Sequence, residues 1–271
     1  MIDNAKLCEL AEISQEKMKK SLKARKVLAD IAATKRWYLF YYPNLAAANF
    51  AGKSLDKWQE FALDCCLLDW RKVEKIEMQF IELMKKVKDV RIVGKETDLS
   101  LSIAGQNWRA CCGKRNLPDG EIFTAPIKNS VNGVILYNTP SHYRGQDFAW
   151  IKLWMKNGKV MKEESDNISG LREILATDSG ARYFGEFAFG LNEKILEPTK
   201  QIIFDEKIGK SLHMALGKCY KEAPNGNDSS VHWDLIFRFK EAGATLYFDG
   251  VKVFFDGKWR DRRFDFLNKG I

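Results

Sequence analysis

Only three histidines occur among the 271 residues, and two of them stand close together, in Ser211-Leu-His213-Met-Ala-Leu-Gly217-Lys-Cys-Tyr220 and in Val231-His232-Trp-Asp234-Leu235. A neutral imidazole beside a carboxylate is a donor set that zinc, cobalt and manganese take from proteins. The chemistry this points to is the binding of a divalent cation. On a strand, residues two apart project from the same face. The alternation within residues 231–239 therefore sends His232 and Asp234 to one side and Trp233 to the other. The competing reading is a core histidine and a surface aspartate that share a strand, because a bare His-x-Asp is common. The third histidine, His142, lies in a Thr-Pro-Ser-His-Tyr loop and reads as a surface residue.

Two glutamates stand out by their surroundings. Glu121 opens Glu-Ile-Phe-Thr-Ala-Pro directly after a Leu-Pro-Asp-Gly turn. Glu186 lies in Arg182-Tyr-Phe-Gly-Glu186-Phe-Ala-Phe-Gly190, where a strand would put it on one face with Phe184, Ala188 and Gly190. An ionised glutamate among such neighbours is costly unless it is paired or bound to a cation. An exposed strand glutamate, or a pair with Arg182, is the plainer alternative.

The elements that must position these residues fall into two kinds. Up to residue 89 the pattern is mainly helical: one helix over residues 14–33, a second through residue 63 capped by Ser54, and a third capped by Asp69. In the third, Val73, Ile76, Phe80, Leu83 and Val87 recur at three- and four-residue steps and form one buried stripe. An aromatic strand, Trp37-Tyr-Leu-Phe-Tyr-Tyr42, stands between the first two helices and ends at Pro43. From residue 90 onward short strands and turns take over. Residues 97–103 alternate polar with apolar, and strands follow at 121–125, 133–138, 147–155, 159–162, 182–190, 201–204 and 231–239. A helix over 171–176 interrupts them, and a hairpin over 245–255 turns at Asp249-Gly250. The fold class expected is α+β, with a helical segment over 1–89 and a mixed, largely antiparallel sheet domain over 90–271.

Composition narrows the function classes. Apolar residues make up 45% and charged residues 30%, as in a globular protein rather than a disordered one. No apolar run reaches the length of a membrane span, so no membrane partner is expected. The start of the chain lacks the order of a signal peptide. The six cysteines include the adjacent pairs Cys65-Cys66 and Cys111-Cys112 but no Cys-x-x-Cys knuckle. A reducing, cytoplasmic setting accounts for that usage. The net charge is +8, but much of the excess lies in helical lysine runs that read as solvated faces. No nucleic-acid motif accompanies them, and no nucleic-acid partner is expected.

Seven segments in one order carry a resemblance. They are Asp98-Leu-Ser, Asn116-Leu-Pro-Asp-Gly-Glu-Ile-Phe-Thr-Ala-Pro126, Ser130-Val-Asn-Gly133, Gly180-Ala-Arg-Tyr-Phe-Gly-Glu-Phe-Ala-Phe-Gly190, Ile203-Phe-Asp-Glu-Lys-Ile-Gly209, His213-Met-Ala-Leu-Gly217 and His232-Trp-Asp234. Together they resemble the catalytic domain of the thermophilic metalloaminopeptidases, the aminopeptidase T, aminopeptidase S and PepS group. Tyr247-Phe-Asp-Gly250 and Asp256-Gly-Lys258 are similar to that family's closing hairpin, and the likeness before residue 90 is weaker.

The resemblance implies two divalent ions (zinc, cobalt or manganese) held by Glu121, Glu186, His213, His232 and Asp234, with Glu186 as the bridging carboxylate. It implies Tyr220 as a catalytic or supporting residue, and either Glu121 or Glu186 as general base. Arg182 would bind substrate or neutralise acidic surroundings. The implied reaction is removal of the first residue from peptides with a free N-terminus, by a homodimer. Family members open with an α/β domain that is expected to be missing here. That departure keeps open a second reading, a catalytically silent metal-binding subunit.

Overall fold

The computed structural model describes residues 13–14, 16–17, 20–21, 24, 31 and 34–270. The helix expected over residues 14–33 lies largely outside the described residues. Three helices follow it: α1 (Leu45–Phe50), α2 (Leu55–Cys66) and α3 (Trp70–Met84). Each starts where a short polar side chain can accept an orphan N–H of the first turn. Asn44 accepts from Ala47 N at 2.9 Å, Ser54 from Lys57 N at 3.4 Å, and Asp69 from Arg71 N and Lys72 N at 3.1 and 3.2 Å. The apolar stripe of α3 buries Val73 and Phe80 and half-buries Ile76 and Leu83. Glu77, on the same side, is fully buried as well.

The strands, in chain order, are β1 (Leu39–Phe40), β2 (Asp89–Gly94), β3 (Thr97–Ser102), β4 (Arg109–Cys111), β5 (Asn116–Leu117), β6 (Glu121–Thr124), β7 (Asn132–Tyr137), β8 (Ser141–Tyr143) and β9 (Gln146–Phe148). After these come β10 (Ile151–Lys156), β11 (Lys159–Ser165), helix α4 (Ile168–Leu175), β12 (Phe184–Gly190), helix α5 (Ile202–Asp205), β13 (Ser211–Gly217) and β14 (His232–Arg238). The chain closes with β15 (Thr245–Phe248), β16 (Val251–Phe255), β17 (Lys258–Trp259) and a 3-10 helix over Arg262–Lys269. An eight-stranded sheet runs β11-β10-β7-β3-β2-β15-β16-β17, and a five-stranded sheet runs β14-β13-β12-β6-β4. Both are antiparallel throughout, and the one parallel strand pair among the described residues is β1 with β5. The class is α+β, as expected. No helix among the described residues is long and apolar enough to cross a membrane.

One apolar core joins the two large sheets. From the eight-stranded sheet it takes Ile92, Leu99, Ile135 and Leu153, and from the five-stranded sheet Phe187, Phe189, Met214 and Phe237. A smaller cluster on the opposite face of the five-stranded sheet packs Ala47, Trp58, Ala62 and Cys65 of α1 and α2 against Phe204, Ile208 and Ile236. β12 and β13 are therefore buried along their whole length on both faces.

Four expectations are corrected. The strand expected over 201–204 is instead the start of helix α5 (Ile202–Asp205) with Gln201 as its N-cap, because the Asp205 carboxylate accepts from Thr199 N (2.7 Å) and Thr199 Oγ1 (2.8 Å) and closes a tight turn. The aromatic strand shrinks to Leu39–Phe40, since its only partner, β5, ends at Pro118 and a proline has no N–H to extend a ladder. The single strand expected over 147–155 breaks into β9 and β10. Phe184 does not share a face with Glu186: a bulge at Gly185 puts Glu186 opposite Ala215 and turns Phe184 into the sheet core. Gly185 is required there, because a Cβ would meet the carbonyl oxygens of Gly217 and Lys218 at 2.4 Å.

Candidate metal centre

Register on the five-stranded sheet assembles the site. Glu121 stands opposite Gly190, Glu186 opposite Ala215, Ala215 opposite Asp234, and Gly217 opposite His232. Directly opposed residues point to the same face. Glu121, Glu186, His213, His232 and Asp234 thus converge from four neighbouring strands. Ala188, Gly190, Ala215 and Gly217 lie among them, and the two glycines admit close backbone, since a Cβ would come within 2.2 Å of Ile208 O at Gly190 and within 2.1 Å of Val231 O at Gly217. The alternate positions, including Phe187, Met214 and Trp233, enter the core on the other side. The strand reading of His232 and Asp234 therefore holds, and the reading of a chance surface aspartate does not.

The distances define two overlapping groups. His213 Nε2 is 3.3 Å from Glu121 Oε2, 3.6 Å from Glu186 Oε1 and 4.0 Å from Asp234 Oδ1. His232 Nε2 is 3.2 Å from Glu186 Oε2 and 3.7 Å from Asp234 Oδ1. Within Glu121, Glu186 and His213, and again within Glu186, His232 and Asp234, one donor atom from each residue lies within 4.8 Å of the others. Glu186 is common to both and offers a different oxygen to each histidine.

Three atoms that face this centre, Glu121 Oε2, His213 Nε2 and His232 Nε2, are buried and, beyond their ion-pair contacts, make no well-directed hydrogen bond among the described residues. Buried polar atoms normally find partners, so these fit a coordinating ion. His232 Nδ1 lies 2.8 Å from Lys218 O, a contact that fixes its ring with Nε2 inward. Burial alone would raise the Glu186 pKa, but the facing imidazoles of His213 and His232 outweigh it and hold the group at about 2. Burial works against a charged imidazole, yet the surrounding carboxylates lift His213 to about 9 and His232 to about 10. Asp234 is pushed up to about 6, chiefly by burial.

A buried cation that the sequence reading missed stands next to Glu121. Lys207 Nζ lies 2.6 Å from Glu121 Oε1, 2.7 Å from Glu206 Oε1 and 3.7 Å from Asp119 Oδ1, and its side chain is 1% exposed. Burial raises the pKa of Asp119, Glu121 and Glu206, and the ammonium opposes that rise. A signal was available: Asp-Glu-Lys interrupts the apolar frame of Ile203-Phe and Ile208. Glu77 carried a similar signal as a charge on an apolar stripe. Burial, followed by the charges of Asp119 and Glu121, holds its pKa well above the usual carboxylate range.

Tyr220 borders the cluster, with its ring 4.8 Å from that of His232 and 5.2 Å from that of Phe123. One side of the residue is open (44% exposed), while burial of the hydroxyl and the charges of Glu186 and Asp234 hold its pKa well above the ordinary phenol value. Arg182 is not brought to the cluster. Its Nη1 donates to Val160 O at 3.2 Å and pairs with Glu163 at 3.2 Å, on the eight-stranded sheet. His142 is not a surface residue as expected: its side chain is 12% exposed, 2.9 Å from Asp147 and edge-on to Phe50, because β8 and β9 pair and fold the loop inward.

The backbone beside the site has little tolerance. Gly217 has φ +97° and lies where a Cβ would come within 2.1 Å of Val231 O. Gly217→Ala is expected to cost more than the roughly 1–3 kcal/mol of an unfavourable backbone conformation alone, read as a lower denaturation midpoint in urea. An unchanged midpoint would show that this strand end relaxes freely.

The sequence model of the thermophilic metalloprotease (M29) family matches residues 1–259. Aminopeptidase 2 of Geobacillus stearothermophilus is 32% identical over 170 residues, covering 53% of this chain and 40% of that protein. Aminopeptidase T of Thermus thermophilus is 30% identical over 187 residues, covering 59% and 45%. The chain thus spans less than half the length of these curated relatives. Among solved structures, wild-type AmpT from Thermus thermophilus superposes with a TM-score of 0.67 at 23% identity, over 76% of this chain and 58% of that one. A 2,5-dihydroxypyridine dioxygenase from Pseudomonas putida KT2440 superposes with a TM-score of 0.62 at 13% identity, over 83% and 71%, which is a likeness of fold.

Proposed function

From the premise that the chain belongs to the thermophilic metalloprotease (M29) family, we propose that it is a metal-dependent aminopeptidase using two divalent cations, zinc, cobalt or manganese. The observation that carries this reading is Glu186, shared by two donor groups whose inward-facing atoms include three without a well-directed hydrogen bond. Glu121 and His213 complete one group, and His232 and Asp234 the other. When bound, such ions polarise a scissile carbonyl and lower the pKa of water.

The side chains divide the remaining work. Glu186, ionised far below neutral pH, supplies charge to both positions at once. Tyr220 keeps its proton at neutral pH and donates a hydrogen bond from the rim, where it can reach the carbonyl oxygen of a peptide as that oxygen gains charge. Glu121 and Glu186 are the carboxylates within reach to accept the proton of the attacking water. Substrates in this reading are peptides with a free amino terminus, following the names of the relatives, and the assembly is a homodimer. Arg182 takes no part in it, because its guanidinium is held by Glu163.

The reading is tested by stripping the full chain with chelator and restoring cobalt, zinc or manganese while following aminoacyl-nitroanilide hydrolysis. Turnover is expected only after restoration, and not on an N-acetylated analogue. Loaded protein without turnover would replace this reading with a silent metal-binding subunit.

A further inference from the structure

The two donor groups are unequal in their surroundings. Glu121 shares its Oε1 with the Lys207 ammonium at 2.6 Å and has only Oε2 left for another cation. Lys207 cannot swing away to water, because it is 1% exposed and hemmed in by Asp119, Glu121 and Glu206. Its backbone is fixed as well: Lys207 O accepts from Asn192 N at 3.0 Å, and Asn192 Nδ2 donates to Cys65 O and Asp119 O at 3.1 and 3.0 Å. Among the described residues, no lysine or arginine pairs with Glu186 or Asp234, whose ion pairs are with His213 and His232. Access differs too, with the His232 side chain 26% exposed and that of His213 1%.

A dication on Glu121 would sit beside a fixed positive charge, whereas one on Asp234 and His232 would not. Like charges in a poorly solvated site repel strongly. We propose that Lys207 is a resident cation that makes the two metal positions unequal: Glu186, His232 and Asp234 hold the first, tightly bound ion, and Glu121, Glu186 and His213 hold a weaker, exchangeable one. This rests on the metal reading above and adds an order of filling to it. Lys207 acts through Glu121 and is a positioning residue.

The test is calorimetric titration of the metal-stripped full chain with zinc, with bound metal counted after gel filtration. Wild type is expected to bind two equivalents, the second at least about tenfold weaker than the first. Glu121→Gln should keep the tight equivalent and lose the weak one, and Asp234→Asn should lose the tight one. Lys207→Gln should bring the two affinities closer together. Two equal equivalents in wild type, or a tight step lost in Glu121→Gln but kept in Asp234→Asn, would overturn the order of filling. A gap unchanged in Lys207→Gln would overturn the role of the lysine. Should that variant not fold, the order of loss in the other two decides. Absence of zinc binding by wild type would overturn the metal reading itself, and this inference with it.

Discussion

Glu186→Gln is expected to abolish hydrolysis and to take bound metal from two ions per chain to fewer than one. Glu186 is the one candidate ligand common to the two histidine-containing groups, whereas Glu121 joins one of them and a separate group with Cys111 and Asp119. Its two oxygens face different histidines at 3.6 and 3.2 Å. The amide keeps the volume and removes the charge, so the buried β12 strand and its bulge have no steric reason to change. Residues that merely orient a ligand typically cost 10–100-fold when replaced, and a shared ligand should cost about 10³-fold or more. The check pairs the nitroanilide assay and metal counting with a far-ultraviolet circular dichroism spectrum. Retained activity with full metal content would show that Glu186 does not bridge.

The second large effect concerns pH, and its sign reverses with metal. In the metal-free protein His213 and His232 keep their protons up to about pH 9 and about pH 10, whereas an imidazole in the unfolded chain loses its proton near about 6.5. The folded state therefore binds more protons than the unfolded state between those limits. This contribution to stability is complete below about pH 6.5 and is lost as pH rises to about 10. Asp234, raised to about 6, has already finished its own decline by then, and Glu186, at about 2, matters only in acid. Metal needs neutral imidazoles, so loading must expel those protons. Affinity should rise about tenfold per pH unit for each imidazole deprotonated. Denaturation at pH 6.5 and 9.5 should thus show chelated protein weakening and zinc-loaded protein gaining relative to it. Parallel curves with and without metal would refute the assigned charge states.

Much of this candidate site is legible in the sequence, and for an identifiable reason. His232 and Asp234 sit on an unbroken strand, where a two-residue spacing fixes a common face. The Asn44, Ser54 and Asp69 caps, the α3 stripe and the Asp249-Gly250 turn are equally local. What could not be read locally depended on partners far along the chain. Gly185 causes a bulge only because β13 runs beside it, so the face of Phe184 was misjudged. Lys207 looked like one more charge in a basic protein, since two of its three carboxylate partners, Asp119 and Glu121, approach from a distant part of the chain. Arg182 and Glu163 meet through pairing between the β12 approach and β11. Residues 201–204 have strand-like composition, and a single side-chain contact from Thr199 to Asp205 turns them into the start of helix α5.

The convergence of four strands on one point has a mechanical side. Its donors span the chain from Glu121 to Asp234, so ions bound there would tie together, by coordination, segments that the unfolded polypeptide keeps far apart. Such ties act as reversible cross-links: because the donors meet only in the folded sheet, binding free energy there becomes folding free energy. The same atoms would then serve as reagent and rivet. Metal supply would set how long the five-stranded sheet stays closed as well as how fast the site can work.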